Sequence, residues 1–227
     1  MSRTGMEWDE WYHLICKDIA KKSQCLSRKI GAILVRDKGI VSQGYNGPPR
    51  DVRPCDERWI IDEEMRQEAI NKSVKHPGND GVSPFENIDK DFYRSHLEGK
   101  CPRYVPEMGF KSGEGLEWCV AGHAERNALN NAARFGIETK GTIMYMDCGI
   151  PCTPCLVEII NSGVEEIVVS QFTIYDKSAL YVLKESSLKV RLYKHLCEHE
   201  NFLQNNDLRF TLIEGFCPDC GGEYWHL

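Results

Sequence analysis

From residue 122 to about 193 the chain alternates between helical and extended patterns. A helix is predicted over 122–135, a strand in TIMYM at 142–146, a helix over 153–162, a strand in EEIVVSQ at 165–171, a helix near 177–186 and a strand around 188–193. This alternation limits the fold more than any other feature. Strands separated by helices need crossover connections, which give a parallel sheet portion with helices on both faces. Upstream, IGAILVR from Ile30 and IVSQGYN from Ile40 are β-type runs joined by DKG, a hairpin signature that adds an antiparallel edge. Before them, residues 8–24 carry apolar side chains at Trp8, Trp11, Tyr12, Leu14, Ile15, Ile19 and Ala20, a helical spacing that ends in a basic turn.

Between these halves lies a polar stretch, about residues 48–118, with turn clusters PP, HPGNDG and SGEG. A segment of that length with few apolar residues is either disordered or held by something other than a core. Residues 1–195 read as one domain carrying this insert, and 196–227 as an extension ending in FCPDCGGEYWHL. The 227 residues are enough to bury roughly 70% of the unfolded surface without disulfides. No apolar run reaches signal-peptide length at the N-terminus or the ~18 residues of a membrane span elsewhere. The expectation is therefore a cytoplasmic protein, in the host cytoplasm if phage-encoded, whose eleven cysteines are reduced and suggest metal. A net charge of −6 and a pI near 5.7 argue against stable nucleic-acid binding and leave room for a local basic pocket.

HAERNA, residues 123–128, places His123 and Glu125 at the start of the helix over 122–135. In a helix interior, residues two apart point to different faces; at the first turn both can lean into one cavity. In GIPCTPCLVEII, Cys152 and Cys155 stand three apart after Pro151, at the first turn of the next helix, where the helix dipole favours thiolates. One His and two Cys make a three-ligand zinc site with an open fourth position, the catalytic pattern. Glu125 is then a carboxylate beside the reacting water, free to carry protons.

His-x-Glu followed by Pro-Cys-x-x-Cys is the signature of the zinc deaminases. With RKIGAILV at 28–35, GYNG at 44–47, HAERNALNNAARFG and NSGVEEIVV, the chain closely resembles the deoxycytidylate deaminases over roughly residues 7–195, phage and bacterial ones especially. The resemblance implies a three-layer α/β/α cytidine-deaminase-like fold, with a five-stranded mixed sheet between helices. It also implies zinc-dependent hydrolysis of deoxycytidylate (dCMP) to deoxyuridylate (dUMP) and ammonia, supplying thymidylate synthesis. Zinc would make hydroxide available at neutral pH, and Glu125 would move protons to N3 and to the leaving ammonia.

The same resemblance assigns further residues. Asn46 contacts the sugar, the backbone near Ala124 holds the base and Tyr175 borders the pocket. Arg28 and Lys29 serve the 5′-phosphate or are simply a solvated strand end. The family is commonly hexameric, activated by dCTP and inhibited by dTTP, with Mg2+ as companion to the triphosphates. Arg134, Asn127 and the loop Gly44, Tyr45, Asn46 and Gly47 match that regulation; an Arg in a last helical turn is also an ordinary dipole partner. Cys25 and Cys55 match a second, closed zinc site that would staple the insert, with Cys101 and Cys119 fitting its remaining positions and His96 as substitute. Cys217 and Cys220 form half a zinc knuckle, needing two ligands from His195, Cys197, His199 or His226, or else a redox dithiol. Cys16 and Cys148 read as ordinary core or near-site cysteines.

Two rival readings stay open. A deaminase of this type could act on dCTP or on a 5-modified deoxycytidine nucleotide. A zinc-structured nucleic-acid-binding module would keep the metals without catalysis, against which Glu125 and the acidic charge speak.

Overall fold

The computed structural model describes residues 6–74, 97–104, 115–174 and 176–193, and the backbone of 213–216 and 223–226. Its chain divides into two compact units interleaved in sequence: residues up to 21, 30–45 and 124 onward form one, and 22–29 with 46–123 form the other.

The first unit is built on helix α1 (Trp8–Ala20), strands β1 (Gly31–Arg36) and β2 (Gly39–Tyr45), helix α4 (Ala124–Arg134), β3 (Ile143–Met146), α5 (Thr153–Asn161), β4 (Glu166–Val169), α6 (Lys177–Glu185) and β5 (Lys189–Leu192). The sheet runs β2-β1-β3-β4-β5. β1 pairs antiparallel with both β2 and β3, while β3–β4 and β4–β5 are parallel. This is the mixed five-stranded sheet that the alternation and the hairpin predict. Asp37 and Lys38 turn the hairpin with φ of 51° and 64°, the paired left-handed conformation whose twist matches the flanking strands.

The strands alternate strictly. Ala32, Leu34, Met144, Met146, Ile167 and Val169 face one core, together with Ala124, Ala128 and Ala132 of α4, Leu156 and Ile159 of α5, and Ala179 and Leu183 of α6. Ile33, Val35, Tyr145 and Val168 face the other, against Tyr12 and Cys16 of α1. Helices therefore cover both faces. Gly31 allows the α1 side to close: a Cβ there would stand 2.1 Å from the Cys16 carbonyl oxygen. Arg191 of β5 pins the same layer, ion-paired with Asp9 of α1 and, at 2.5 Å, with Glu166 of β4. Tyr145 donates its hydroxyl to Asp9 at 2.7 Å.

The second unit holds α2 (Cys55–Ile61), α3 (Glu63–Val74) and short 3-10 turns at Pro102–Tyr104 and Leu116–Trp118. The insert is more self-sufficient than its composition suggests. Trp59, Met65 and Leu97, far apart in sequence, are each buried to within 1% of complete. Asp62 links α2 to α3, accepting from the Arg58 guanidinium at 2.6 Å and the Met65 N–H at 3.0 Å. Arg58 also donates to the Trp118 carbonyl. Gly47 and Gly122 form an antiparallel bridge.

β6 (Ile213–Phe216) and β7 (Glu223–His226) form a separate two-stranded hairpin. The proposed domain limit at 195/196 and the knuckle cysteines Cys217 and Cys220, with their possible partners His195, Cys197 and His199, lie outside the described residues, as does the side chain of His226. Among the described residues, no helix is long and apolar enough to cross a membrane.

Candidate metal centre

α4 begins one residue after His123, and its first turn carries Glu125, buried at 4% exposure. β2 fixes the position of this helix. A Cβ on Gly44 would stand 2.3 Å from the Ala128 nitrogen and 2.4 Å from the Ala124 oxygen, so only glycine allows this approach. Ser42 donates its hydroxyl to the Ala128 carbonyl at 2.7 Å. Asn127 and Asn131, one helical turn apart, donate to the carbonyls of Tyr45 and Gln43 at 2.7 and 2.8 Å, covering the outer edge of the sheet.

α5 supplies the cysteines. Cys152 is its N-cap residue, in extended conformation and without a side-chain cap bond, and Pro154 fills the first turn. Cys155 follows, fully buried. The α5 turn is tied outward twice. Arg126 of α4 pairs with Glu158 of α5 at 2.7 Å, and Asp176, the N-cap residue of α6, accepts the Thr153 N–H at 2.8 Å.

The ligand atoms of His123, Cys152 and Cys155 lie within 4.8 Å of one another, the one group of three or more His, Cys or acidic residues so gathered among the described residues. Around one zinc, tetrahedral N and S ligands stand roughly 3.5–4 Å apart, so the donor set and its spacing fit that ion. The Cys155 thiol is held far above its ordinary pKa, first by its hydrogen bond with Cys152, then by burial, then by the charge of Glu125. A bound divalent cation reverses this, because a coordinating thiol is deprotonated outright.

Of the other predicted residues, Ala124 is the buried first residue of α4. Asn46 is buried; its amide donates to the Arg28 carbonyl at 2.7 Å and its side-chain oxygen accepts from the Ser23 hydroxyl at 2.8 Å. Arg28 and Lys29 are exposed, and Tyr175 lies outside the described residues. In the regulatory set, Gly44 and Gly47 are buried, Tyr45 is exposed, and Arg134 is exposed with its guanidinium 5.8 Å from the Phe135 ring centre.

Cys25, Cys55, Cys101 and Cys119 all belong to the second unit. Burial, then the neighbouring Cys101, pushes the Cys55 thiol up to about 11, with Cys119 adding to the rise. Burial first, and then Cys25 and Cys119, also raises Cys101. Cys101 thus feels Cys25 and Cys119, and Cys55 feels Cys101 and Cys119, although no three of these sulfurs form a group within 4.8 Å. His96 lies outside the described residues. Arg126, Glu158 and Asp176 are the residues sequence reasoning missed. Asp176 before Lys-Ser and an apolar run has the look of a helix start, but its bond to Thr153 spans 23 residues and leaves no local signal.

The cytidine and deoxycytidylate deaminase zinc-binding region matches residues 6–171. The deoxycytidylate deaminase of Enterobacteria phage T2 is 32% identical over 162 residues, 70% of this chain and 77% of that protein. That of Saccharomyces cerevisiae is 26% identical over 186 residues, 82% of this chain and 45% of the yeast protein. The chain thus spans about half the length of the yeast relatives it matches. A crystal structure of dCMP deaminase from the cyanophage S-TIM5, in complex with dCMP and dUMP, shares the fold at a TM-score of 0.50 and 19% identity, covering 84% of this chain and 99% of that one. With the buried glutamate and the His-Cys-Cys cluster at two helix starts, these matches show that the chain belongs to the cytidine and deoxycytidylate deaminase family.

Proposed function

We propose that the chain catalyses hydrolytic deamination of dCMP to dUMP and ammonia, supplying thymidylate synthesis. The observation that carries this reading is the convergence of His123, Cys152 and Cys155 within 4.8 Å, at the helix turn that also bears Glu125. The phage T2 relative, named for this activity and spanned over three quarters of its length, supports the choice of substrate.

His123, Cys152 and Cys155 would hold zinc, which when bound acidifies water so that hydroxide is available at neutral pH. Glu125 takes the proton from the attacking water and delivers it to N3 as the C4–O bond forms. It then takes the proton of the new C4 hydroxyl and passes it to the exocyclic nitrogen, so that the C4 carbonyl forms as the C4–N bond breaks and ammonia leaves; one carboxylate serves as base and then as acid. Its burial keeps bulk water from competing for those protons. The backbone at Ala124 holds the base, Asn46 the sugar, and Arg28 and Lys29 the 5′-phosphate, with Tyr175 at the rim.

The reading extends to a second, closed zinc at Cys25, Cys55, Cys101 and Cys119, supported by the charge effects of Cys101 and Cys119 on Cys55 and of Cys25 and Cys119 on Cys101, and to a third at Cys217 and Cys220. It includes a cytoplasmic homo-hexamer activated by dCTP and inhibited by dTTP, with Mg2+ on the triphosphates, sensed through Arg134, Asn127 and the loop from Gly44 to Gly47. An ammonia-release panel over cytidine, deoxycytidine and their mono- and triphosphates, with and without dTTP, tests it. dCMP should be turned over fastest. Preference for dCTP would replace the substrate, and no release from any cytosine nucleotide would favour a non-catalytic zinc module.

A further inference from the structure

Helix α5 starts in an unusual way for a helix that must hold its first turn still. The N-cap residue normally offers a side-chain oxygen to the first free N–H groups, and the loss of such a cap costs ~1 kcal/mol. Here the N-cap is Cys152, which makes no side-chain cap bond, and its sulfur belongs to the His123, Cys152 and Cys155 cluster. Pro154 at the second helical position has no N–H to satisfy. The first helical N–H, that of Thr153, is bound from another helix: Asp176 accepts it at 2.8 Å through Oδ2. Through Oδ1 the same carboxylate accepts the Ser178 N–H at 3.0 Å, as the N-cap of α6. One side chain therefore caps two helices, and the helix it reaches across to is the one that carries the metal-binding cysteines.

We propose that Asp176 is a positioning residue for the metal: it supplies from α6 the cap that Cys152 cannot give while its sulfur is a ligand, and so fixes Cys152 and Cys155 before the ion arrives. This rests on the metal-centre reading above. Partners that orient ligands typically contribute 10- to 100-fold in metal affinity, and a pair of cysteines already held in place is where such an effect acts.

The test is cobalt(II) titration of the full chain, following the thiolate charge-transfer bands lost in Cys152→Ala, so that other cysteine sites are subtracted, with circular dichroism to check folding. Asp176→Ala should bind cobalt at least tenfold more weakly and shift those bands; Asp176→Asn, which keeps an acceptor, should fall between it and the parent. Thr153→Pro removes the donated N–H and leaves the α6 cap intact. Proline is at home in a first helical position, and Cys152, at φ −66° and ψ 160°, already has the conformation a residue before proline prefers. It should weaken binding as Asp176→Ala does, and it decides the matter should Asp176→Ala fail to fold. Parent-like affinity and bands in Thr153→Pro would overturn the proposal, leaving Asp176 a cap for α6 alone. An unchanged cobalt spectrum in Cys152→Ala would instead remove the metal centre itself, and both readings with it.

Discussion

The guanidinium of Arg126 lies 2.7 Å from the carboxylate of Glu158, joining the first turn of α4 to the middle of α5. Glu158 holds the Arg126 pKa above its usual value, chiefly through this hydrogen bond. Both side chains are about two-fifths exposed, so solvent screens the pair. A double-mutant cycle with Arg126→Ala and Glu158→Ala should give a coupling of about 0.2–1 kcal/mol by denaturant unfolding. A coupling above 2 kcal/mol would mean that the bridge is a principal fastening between the two helices.

Glu125→Gln keeps the size and most hydrogen bonding of the side chain but removes the base. Its zinc content should match the parent while turnover falls at least 10²- to 10⁴-fold. Cys155→Ala should lose metal and turnover together. Equal zinc loss in both variants would make Glu125 a ligand or a structural residue, contrary to its proposed proton-carrying role.

Gly44 and Gly47 belong to the same predicted regulatory loop but should respond differently to the same change. A methyl at Gly44 meets α4 backbone at 2.3 Å, whereas nothing lies within 4 Å of one at Gly47. Gly44→Ala should cost 1–3 kcal/mol or more by overpacking and weaken metal binding by shifting the α4 start. Gly47→Ala should be near neutral in stability. Comparable melting temperatures for the two variants would contradict this.

That contrast shows what the sequence made legible. The alternation of strand and helix, and the DKG turn, follow from local periodicity, and each expected element lies within about four residues of its place. His123, Cys152 and Cys155 were legible because metal chemistry restricts residue type and spacing. The glycine contact of Gly44 with α4, the 23-residue reach of Asp176 and the complete burial of Trp59, Met65 and Leu97 in the insert were not. Each depends on chain segments brought together only by the fold, and none repeats with a period.

His13 of α1 is buried, stacked on Tyr193 with ring centres 3.9 Å apart. Burial first, and then the charge of Lys17, lowers its pKa from 6.5 to about 4. The folded protein therefore prefers the neutral ring, and between those values the unfolded chain binds more protons. This contribution to stability is fully present above pH 6.5 and is lost progressively as pH falls toward 4, by no more than about 3 kcal/mol. His13→Gln, measured by urea unfolding at steps from pH 7 to 4, should show a shallower decline than the parent. Parallel curves would place the acid sensitivity in other groups.

The second zinc is tested by counting. Cys101 and Cys119 help to raise the pKa of Cys55, and Cys25 and Cys119 that of Cys101, because neighbouring thiolates would repel one another. Binding a divalent ion as thiolates relieves that repulsion and releases protons. Among the described residues of the insert, Trp59, Met65 and Leu97 are the large apolar side chains buried to within 1%, and α2 begins at Cys55 itself. Structural zinc sites contribute apparent binding energies of about 10–16 kcal/mol, more than the roughly 1.5–3 kcal/mol from burying each such side chain. Metal analysis of the purified protein should give two zincs per chain, or three if Cys217 and Cys220 are also loaded. Cys25→Ser should lose one zinc, retain the ion at His123, Cys152 and Cys155, and make the segment around α2 and α3 exchange its amide hydrogens faster. A parent protein with one zinc, lost in Cys152→Ala and unaffected by Cys25→Ser, would show that the insert is held by its apolar core and the Arg58–Asp62 and Arg58–Trp118 bonds without metal.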